Sequence, residues 1–317
     1  MHLINRYAVI ASLCACASSV YADESQQCKT VRFADIGWTD IAATTALASV
    51  VLSGLDYKPQ KTNASVPVTL LGLKSKEIDV FLGYWKPALD AVAKPLIERG
   101  EVHVAEVPNL VGAKFTLAVP NYAYEAGLQT FADIHEYADK LNHKIYGIDS
   151  GGAGNQIIQK MIDQNQFDLK DFNLVASSEA GMLVAVNRAA KRDQWIVFLG
   201  WEPHPMNLQF DMRYLSGGDD TFGPDYGAAT VYTMTRSDYT SRCPNAARLM
   251  ANLRFDTDME NQLMQAIMDK RQTPEAAATQ WLKKNRSVLD TWLVGVNTLD
   301  GKPALPAVNA YLDKAVP

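Results

Sequence analysis

Three of the six tryptophans stand one or two residues after a glycine. They lie in the segments Gly37-Trp38-Thr39-Asp40, Gly83-Tyr84-Trp85-Lys86-Pro87 and Gly200-Trp201-Glu202-Pro203-His204-Pro205. Aromatic faces that surround one cavity can hold a quaternary ammonium group, which has no N–H to donate, with ~0.5–2 kcal/mol of cation–π attraction per desolvated ring. Burial of the methyl groups adds a hydrophobic contribution. Taken singly, each tryptophan is more typical of a core residue; the pattern shared by all three favours a common site.

Two polar segments could add contacts to such a site. Asp40 follows Trp38 by two residues and opens a predicted helix, where an aspartate is a good N-cap. Its carboxylate could also accept a hydrogen bond from a ligand hydroxyl and attract a cation, and both roles can coexist. In the loop Gly151-Gly152-Ala153-Gly154-Asn155, the backbone N–H of Gly152 and the side chain of Asn155 are candidate ligand contacts. A tight turn with a helix cap is an equally good interpretation of this loop.

β-type runs alternate with helical patterns along most of the chain, which predicts an α/β fold with helices on both faces of a sheet. The predicted strands are residues 31–36, 66–71, 80–82, 115–119, 144–148, 195–199 and 230–235. The three glycine–tryptophan motifs directly follow the strands at 31–36, 80–82 and 195–199. Ligands of open α/β sheets bind beyond the carboxyl ends of strands, so the motifs are expected to meet there. Trp195 is predicted inside its strand, as a packing residue.

The cysteines indicate how the chain is organised. Without the N-terminal leader only Cys28 and Cys243 remain, and in an oxidising compartment such a pair predicts a disulfide. The alternative is two separate buried thiols. A bond between them requires the first strand and the C-terminal third to share a lobe. The prediction is a discontinuous lobe 1 (23–112 and 213–317) and an inserted lobe 2 (113–212), with chain crossings near Gly112 and at 210–214. Two crossings form a hinge, which suggests closure around a ligand.

The N-terminus has the pattern of a secretory signal peptide over residues 1–22. A short basic start precedes the apolar run 7–17, and Val20-Tyr21-Ala22 has small residues at the positions that precede a cleavage site. The run is shorter than the ~20 residues that span a bilayer as a helix. An exported, periplasmic protein that begins near Asp23 is therefore expected. Leu13-Cys14-Ala15-Cys16 is a poor match to a lipoprotein cleavage box with Cys16 as the lipidated residue.

Other functional classes lack their signatures in this sequence. The net charge of −5, without a run of Lys and Arg, argues against nucleic-acid binding. Ser150 lacks the preceding glycine that a nucleophile elbow requires, and the histidines never form HExxH, so His204 between two prolines is assigned to a rigid loop. No CxxC metal spacing and no complete dinucleotide or phosphate-binding glycine loop occurs. We therefore expect no catalytic residue, no metal and no cofactor.

At the three glycine–tryptophan motifs the chain resembles the choline and glycine-betaine binding proteins of bacterial ABC importers, over its whole mature length. The resemblance implies a type II, Venus-flytrap periplasmic binding protein, expected to act as a monomer that delivers its ligand to an importer permease. It also implies an aromatic box in which Trp38 and Trp85 belong to one lobe and Trp201 to the other. Phe115 falls where choline receptors usually have a tyrosine.

The acidic residue at Asp40 is a feature of the choline-selective branch of that family, so the resemblance favours choline over glycine betaine. Three alternatives stay open at this stage. They are glycine betaine or another quaternary amine as the main ligand, a sensory receptor with the same cleft, and, with least support, an exported hydrolase.

Overall fold

The computed structural model describes residues 26–315. The predicted signal peptide at 1–22, its cleavage after Ala22 and the lipidation alternative at Cys16 lie outside the described residues. Within the described range, no helix is both long and apolar enough to cross a membrane.

Ten strands, all hydrogen-bonded into one sheet, are present in the described part of the chain. They are β1 (Thr30–Asp35), β2 (Lys58–Asn63), β3 (Val80–Lys86), β4 (Val102–Val104), β5 (Leu110–Pro120), β6 (Lys144–Asp149), β7 (Asn173–Ser177), β8 (Val197–Glu202), β9 (Met212–Tyr214) and β10 (Ala228–Arg236).

Helices connect and cover these strands. The longer ones are α1 (Thr39–Gly54), α2 (Val66–Ser75), α3 (Asp90–Glu98), α6 (Ala153–Asp163), α7 (Glu179–Ala190), α12 (Pro244–Asn252), α13 (Thr257–Met268), α14 (Pro274–Lys284) and α16 (Ala304–Lys314). The shorter ones are α4 (Asn121–Glu125), α5 (Asp133–Glu136), α8 (Met206–Gln209), α9 (Asp219–Phe222), α10 (Pro224–Gly227), α11 (Tyr239–Arg242) and α15 (Val288–Trp292), with 3-10 turns at Gln26–Cys28 and Gln166–Asp168.

The strand order is β2-β1-β3-β10-β5-β8-β6-β7, with β4 also paired to β10 and β9 to β5. Parallel groups stand at both ends, β1 with β2 and β3 on one side and β6 with β7 and β8 on the other. Antiparallel β10 and β5 join the groups. Helices and a mixed sheet of this kind confirm the predicted α/β class.

Strand β5 carries the chain from one half of the sheet to the other. Its start pairs with β10 at Ala113, and Phe115 then pairs with Trp201 of β8. The chain thus first passes from one half to the other just after Gly112. The return comes later than predicted, because residue 213 lies in β9, which pairs with β5 at 118–120. The N–H of Phe131 then donates to the carbonyl of Ser216 at 2.9 Å, so the chain stays in the second half and pairs with β3 again only from β10 onwards.

The prediction of a strand at 66–71 is wrong, because these residues belong to helix α2. A short apolar run has no periodicity that separates a strand from a buried helix, and Pro67 in the first turn suits a helix start. The strand in this region is β2, with the polar sequence KPQKTN, which pairs in parallel with β1 along its whole length. Trp195, predicted inside a strand, precedes β8 and is only half-buried.

The disulfide between Cys28 and Cys243 is formed, with 5.5 Å between the Cα atoms, and the alternative of two free thiols is wrong. It joins the segment before β1 to the start of α12 across 215 residues of sequence. The same half contains α1, which is buried along most of its length and packs against α13, α14 and α16. The N- and C-terminal parts of the chain therefore form one body, as the cysteine argument required.

Candidate ligand-binding site

Four aromatic side chains from different elements line one narrow cavity. Trp38 follows β1 and immediately precedes α1, Trp85 lies near the end of β3, and Phe115 and Trp201 face each other across the β5–β8 pair. All four are buried, with between 3% and 7% of their surface exposed. Asp40, Ala88, Leu89, Ile148 and Ala153 complete the lining. The structure thus brings together five of the seven residues proposed from the sequence.

Phe115 lies between two of the tryptophans. Its ring centroid is 6.2 Å from that of Trp85 and 6.5 Å from that of Trp201, at interplanar angles of 54° and 45°. Rings inclined in this way present faces to a shared space. Phe222 of α9 packs against Phe115, with their ring centroids 6.0 Å apart. The sequence did not reveal this contact, because Phe222 lies in a glycine- and aspartate-rich loop. The arrangement can surround a compact cation whose surface consists of methyl groups.

Asp40 is not the N-cap of helix α1, because the helix begins at Thr39 and Trp38 occupies the N-cap position. Its Oδ2 accepts a hydrogen bond from the indole Nε1 of Trp85 at 3.2 Å, while Oδ1 is buried without a partner among the described residues. Burial raises the pKa of Asp40 to about 7, and the charge of Glu179 acts in the same direction. The backbone N–H groups at the start of α1 and the Trp85 indole oppose this rise in pKa. The free Oδ1 is an acceptor for a ligand hydroxyl.

Trp38, which follows β1, is hydrogen-bonded to a residue of the half of the sheet that contains β6, β7 and β8. Its indole Nε1 donates to Oδ1 of Asp149, at the end of β6, over 2.8 Å. The next residue, Thr39, donates from both its N–H and its hydroxyl to Glu179, the first residue of α7. The segment that contributes Trp38 and Asp40 to the cavity is therefore attached to the opposite half.

The loop at 151–155 forms a turn and a helix start, and the two ligand contacts proposed in it are not seen. The N–H of Gly152 donates to the carbonyl of Asp149 at 3.0 Å. Buried Asn155 uses both ends of its amide on the backbone of Ile148, at 2.9 and 3.0 Å. Neither residue lines the cavity, since both are occupied with the turn between β6 and α6. Ile148 and Ala153, on either side, contribute the apolar lining instead.

Gly154 has a packing role that its motif did not suggest. A Cβ at this position would stand 2.7 Å from the ring of Phe115 and 2.6 Å from the side chain of Leu199. Both distances are too short for ordinary contact, so a glycine is needed for α6 to approach the wall of the cavity. The glycine-rich loop therefore shapes the site through the backbone.

His204 is fully buried beside the cavity. Its ring packs edge-on against Trp201, with centroids 4.8 Å apart. Its Nδ1 accepts from the N–H of Met206 at 3.0 Å, and its Nε2 lies 3.2 Å from Oε1 of Glu179. The prediction of a rigid loop fits these contacts, but the link to Glu179 joins residues distant in sequence and had no local signal. Within residues 26–315 no group of three His, Cys, Asp or Glu side chains could hold a metal ion.

Known proteins resemble this chain over most of its length. The family model described as the substrate binding domain of the ABC-type glycine betaine transport system, OpuAC, matches residues 29–284. An ABC-transporter choline binding protein in complex with choline is similar at 50% identity and a TM-score of 0.90, over 91% of this chain and 100% of that chain. The unliganded semi-closed conformation of an ABC-transporter choline binding protein has 50% identity and a TM-score of 0.84, over 90% and 99% of the two chains.

A third similar structure is lactococcal OpuAC in its closed form with glycine betaine, at 25% identity and a TM-score of 0.75, over 83% of this chain and 98% of that chain. The family consists of binding proteins that serve transport. The protein belongs to the family of substrate-binding domains of ABC-type glycine betaine transport systems and has the two-lobed fold of the type II periplasmic binding proteins.

Proposed function

We propose that this protein is an extracytoplasmic receptor that binds choline in the aromatic cavity and delivers it to the permease of an ABC importer. The observation that carries the proposal is a set of four buried rings beside one carboxylate oxygen that has no partner among residues 26–315. The rings suit the trimethylammonium group, and Asp40 Oδ1 suits the hydroxyl at the other end of choline. Binding involves no bond breaking, so no catalytic residue is assigned.

Asp40 favours choline over glycine betaine. The carboxylate of betaine would stand beside that of Asp40 in a buried cavity, where like charges repel strongly. Choline carries a hydroxyl at the corresponding end, which donates a hydrogen bond to the same group. The cavity therefore accepts the trimethylammonium group of either ligand and distinguishes choline from glycine betaine by the hydroxyl or carboxylate at the other end.

Closure of two lobes around the ligand follows from the position of the rings. Trp38 and Trp85 belong to the half with β1 and β3, and Trp201 to the half with β8, while Phe115 lies just beyond the crossing in β5. A ligand that touches both sets stabilises the closed arrangement by its extra affinity for that state. We place the first lobe boundary near Gly112 and the second between Phe222 and Ala228, and expect a monomer to carry the site.

An oxidising compartment suits the disulfide between Cys28 and Cys243. We propose export to the periplasm, with the leader removed after about Ala22 and a mature chain that begins near Asp23. Mass spectrometry of the exported protein would identify the new N-terminus.

Titration calorimetry tests the ligand. We expect choline to bind at low micromolar concentration or tighter, which corresponds to about 8 kcal/mol, and glycine betaine to bind more weakly. The matched control is 3,3-dimethylbutanol, a neutral analogue of choline with the same shape. It should bind far more weakly, because it keeps the methyl groups and hydroxyl but lacks the cation.

Two results would change the assignment. Tighter binding of betaine than of choline would make betaine the main ligand, in keeping with the family description. Equal binding of choline and its neutral analogue would show that the rings act only by hydrophobic contact.

A further inference from the structure

Thr39 is tied to the opposite half of the protein although it does not line the cavity. It lies between Trp38 and Asp40, which both do. Its N–H donates to Oε2 of Glu179 at 2.9 Å, and its hydroxyl donates to Oε1 of the same carboxylate. The two residues are 140 positions apart in sequence. One carboxylate thus holds the backbone and the side chain of the residue between two cavity residues.

Glu179 is itself held by His204. The Nδ1 of His204 accepts from the N–H of Met206, so the ring proton of this tautomer is on Nε2 and points towards Glu179 Oε1, 3.2 Å away. Glu179 and His204 are buried, at 6% and 1% exposure. The imidazole therefore provides the third donor that a buried carboxylate needs.

The same imidazole packs against a ring of the cavity, edge-on to Trp201 at 4.8 Å. A continuous series of contacts therefore runs from Trp201 through His204 and Glu179 to Thr39. It links the ring supplied by one half of the sheet to the segment that supplies Trp38 and Asp40 from the other. None of the three connecting residues lines the cavity.

We propose that Glu179, oriented by His204, is a positioning residue that holds the Trp38–Asp40 segment in its binding geometry when the lobes close. The inference rests on the proposed choline-binding function. In this structure the carboxylate has three donors in place of water; in an open form water can hydrate it. Removing one donor leaves a buried charge short of a partner only in the closed form. The affinity then falls because the binding-competent state is less populated.

The test compares Thr39→Val with Thr39→Ser and wild type by choline titration. Valine keeps the shape of threonine but removes the hydroxyl, and no charge changes. We expect Thr39→Val to weaken choline binding about tenfold, because a hydrogen bond to a charged group is lost. Thr39→Ser should restore most of the affinity.

Glu179→Gln should weaken choline binding about 10- to 100-fold, and adding Thr39→Val to it should reduce the affinity little further. Asp139→Asn is the matched control, since Asp139 is an exposed carboxylate beside His143. The Asp139→Asn variant should bind choline as tightly as wild type does.

A purely electrostatic role of Glu179 predicts a different result. In that case Glu179→Gln weakens binding while Thr39→Val binds within twofold of wild type, and the positioning role is wrong. Fully additive effects in the double variant would also refute it. The melting temperature of ligand-free Thr39→Val should stay close to that of wild type, because the contact belongs to closure; an early melt would mean that Thr39 serves the fold.

A second measurement is independent of the ligand's identity. Small-angle scattering of the ligand-free protein should give a larger radius of gyration for Thr39→Val than for wild type, and equal radii would refute the proposal. If wild type fails to bind choline but the radii differ, the proposed ligand is wrong and the positioning contact stands.

Discussion

Trp85 and Asp40 share a hydrogen bond inside the cavity, from the indole Nε1 to Oδ2 over 3.2 Å. The other oxygen of the same carboxylate has no partner in the described part of the chain. A ring of the proposed cage thus orients the acidic group, and the group keeps one acceptor for a ligand. Ligand selectivity and its pH dependence are expected to follow from this pairing and from the rings around it.

Replacing Asp40 by Asn should weaken choline binding by about 1–3 kcal/mol, because the hydroxyl loses a charged acceptor. The preference for choline over glycine betaine should shrink or reverse, since the repulsion of the betaine carboxylate disappears. Calorimetry with both ligands measures the two effects. An unchanged ratio of the two affinities would show that Asp40 does not set selectivity.

Choline affinity should rise between about pH 6 and pH 8. Burial, and secondarily the charge of Glu179, raises the pKa of Asp40 to about 7 without ligand. A bound cation favours the ionised carboxylate, so binding displaces a proton from the fraction that is protonated. Calorimetry at pH 7 in two buffers of different ionisation enthalpy should reveal proton release. The Asp40→Asn variant should release none from this site, and an equal release would assign the proton elsewhere.

The same raised pKa affects the stability of the ligand-free protein. Between its ordinary value of 3.8 and about 7, the carboxyl of Asp40 binds a proton in the native state and loses it on unfolding. This contribution to stability is full below pH 3.8 and is lost as the pH rises towards 7. Burial also raises the pKa of Glu260, so only the difference between wild type and Asp40→Asn isolates Asp40. Denaturant unfolding from pH 5 to pH 8 should show that difference.

Replacing Trp201 by Ala should weaken choline binding by about 1–3 kcal/mol through lost cation–π attraction and lost burial. The ligand-free fold should stay largely intact. Trp195 would be a poor control, because it lies outside β8 with Lys140 over its ring at 4.2 Å. Trp292 is better: it is completely buried and packs against Phe255.

Trp292→Ala should cost about 3–5 kcal/mol of stability, as large core truncations do. Choline affinity of the folded fraction should stay near that of wild type, since Trp292 does not line the cavity. Thermal melting and calorimetry on both variants separate the roles. Normal choline binding by Trp201→Ala would refute the aromatic-box proposal at its strongest motif.

Replacing Cys28 and Cys243 together by Ser should lower the free energy of unfolding by on the order of 2–5 kcal/mol, towards the upper end because the closed loop is long. Neither cysteine lines the cavity, so choline affinity of the folded variant should not change. Denaturant unfolding of the variant and of reduced wild type should agree. An unchanged midpoint in both would show that the bond does not constrain the unfolded chain.

Local patterns were sufficient for much of the site. Glycine–tryptophan pairs that follow β-type runs place Trp38, Trp85 and Trp201 at strand ends, and the topology of α/β sheets brings such ends together. Phe115 came from the family resemblance. The pairing of Cys28 with Cys243 followed from counting cysteines in an exported chain. These inferences depend on residue types, short motifs and the cysteine count, all of which can be read along the chain without its tertiary structure.

Contacts between distant segments had no such signal. The apolar run at 66–71 is a helix and the polar KPQKTN a strand, because pairing with β1 outweighs local propensity. Asn155 has the chemistry of a ligand contact, yet its amide is used by the backbone of Ile148. The Thr39–Glu179–His204 contacts join three segments whose proximity is created only by the crossing strands and the closed cavity. Residue types along the chain thus select the chemistry of the site, whereas the packing of the two halves decides which polar atoms are left free to bind.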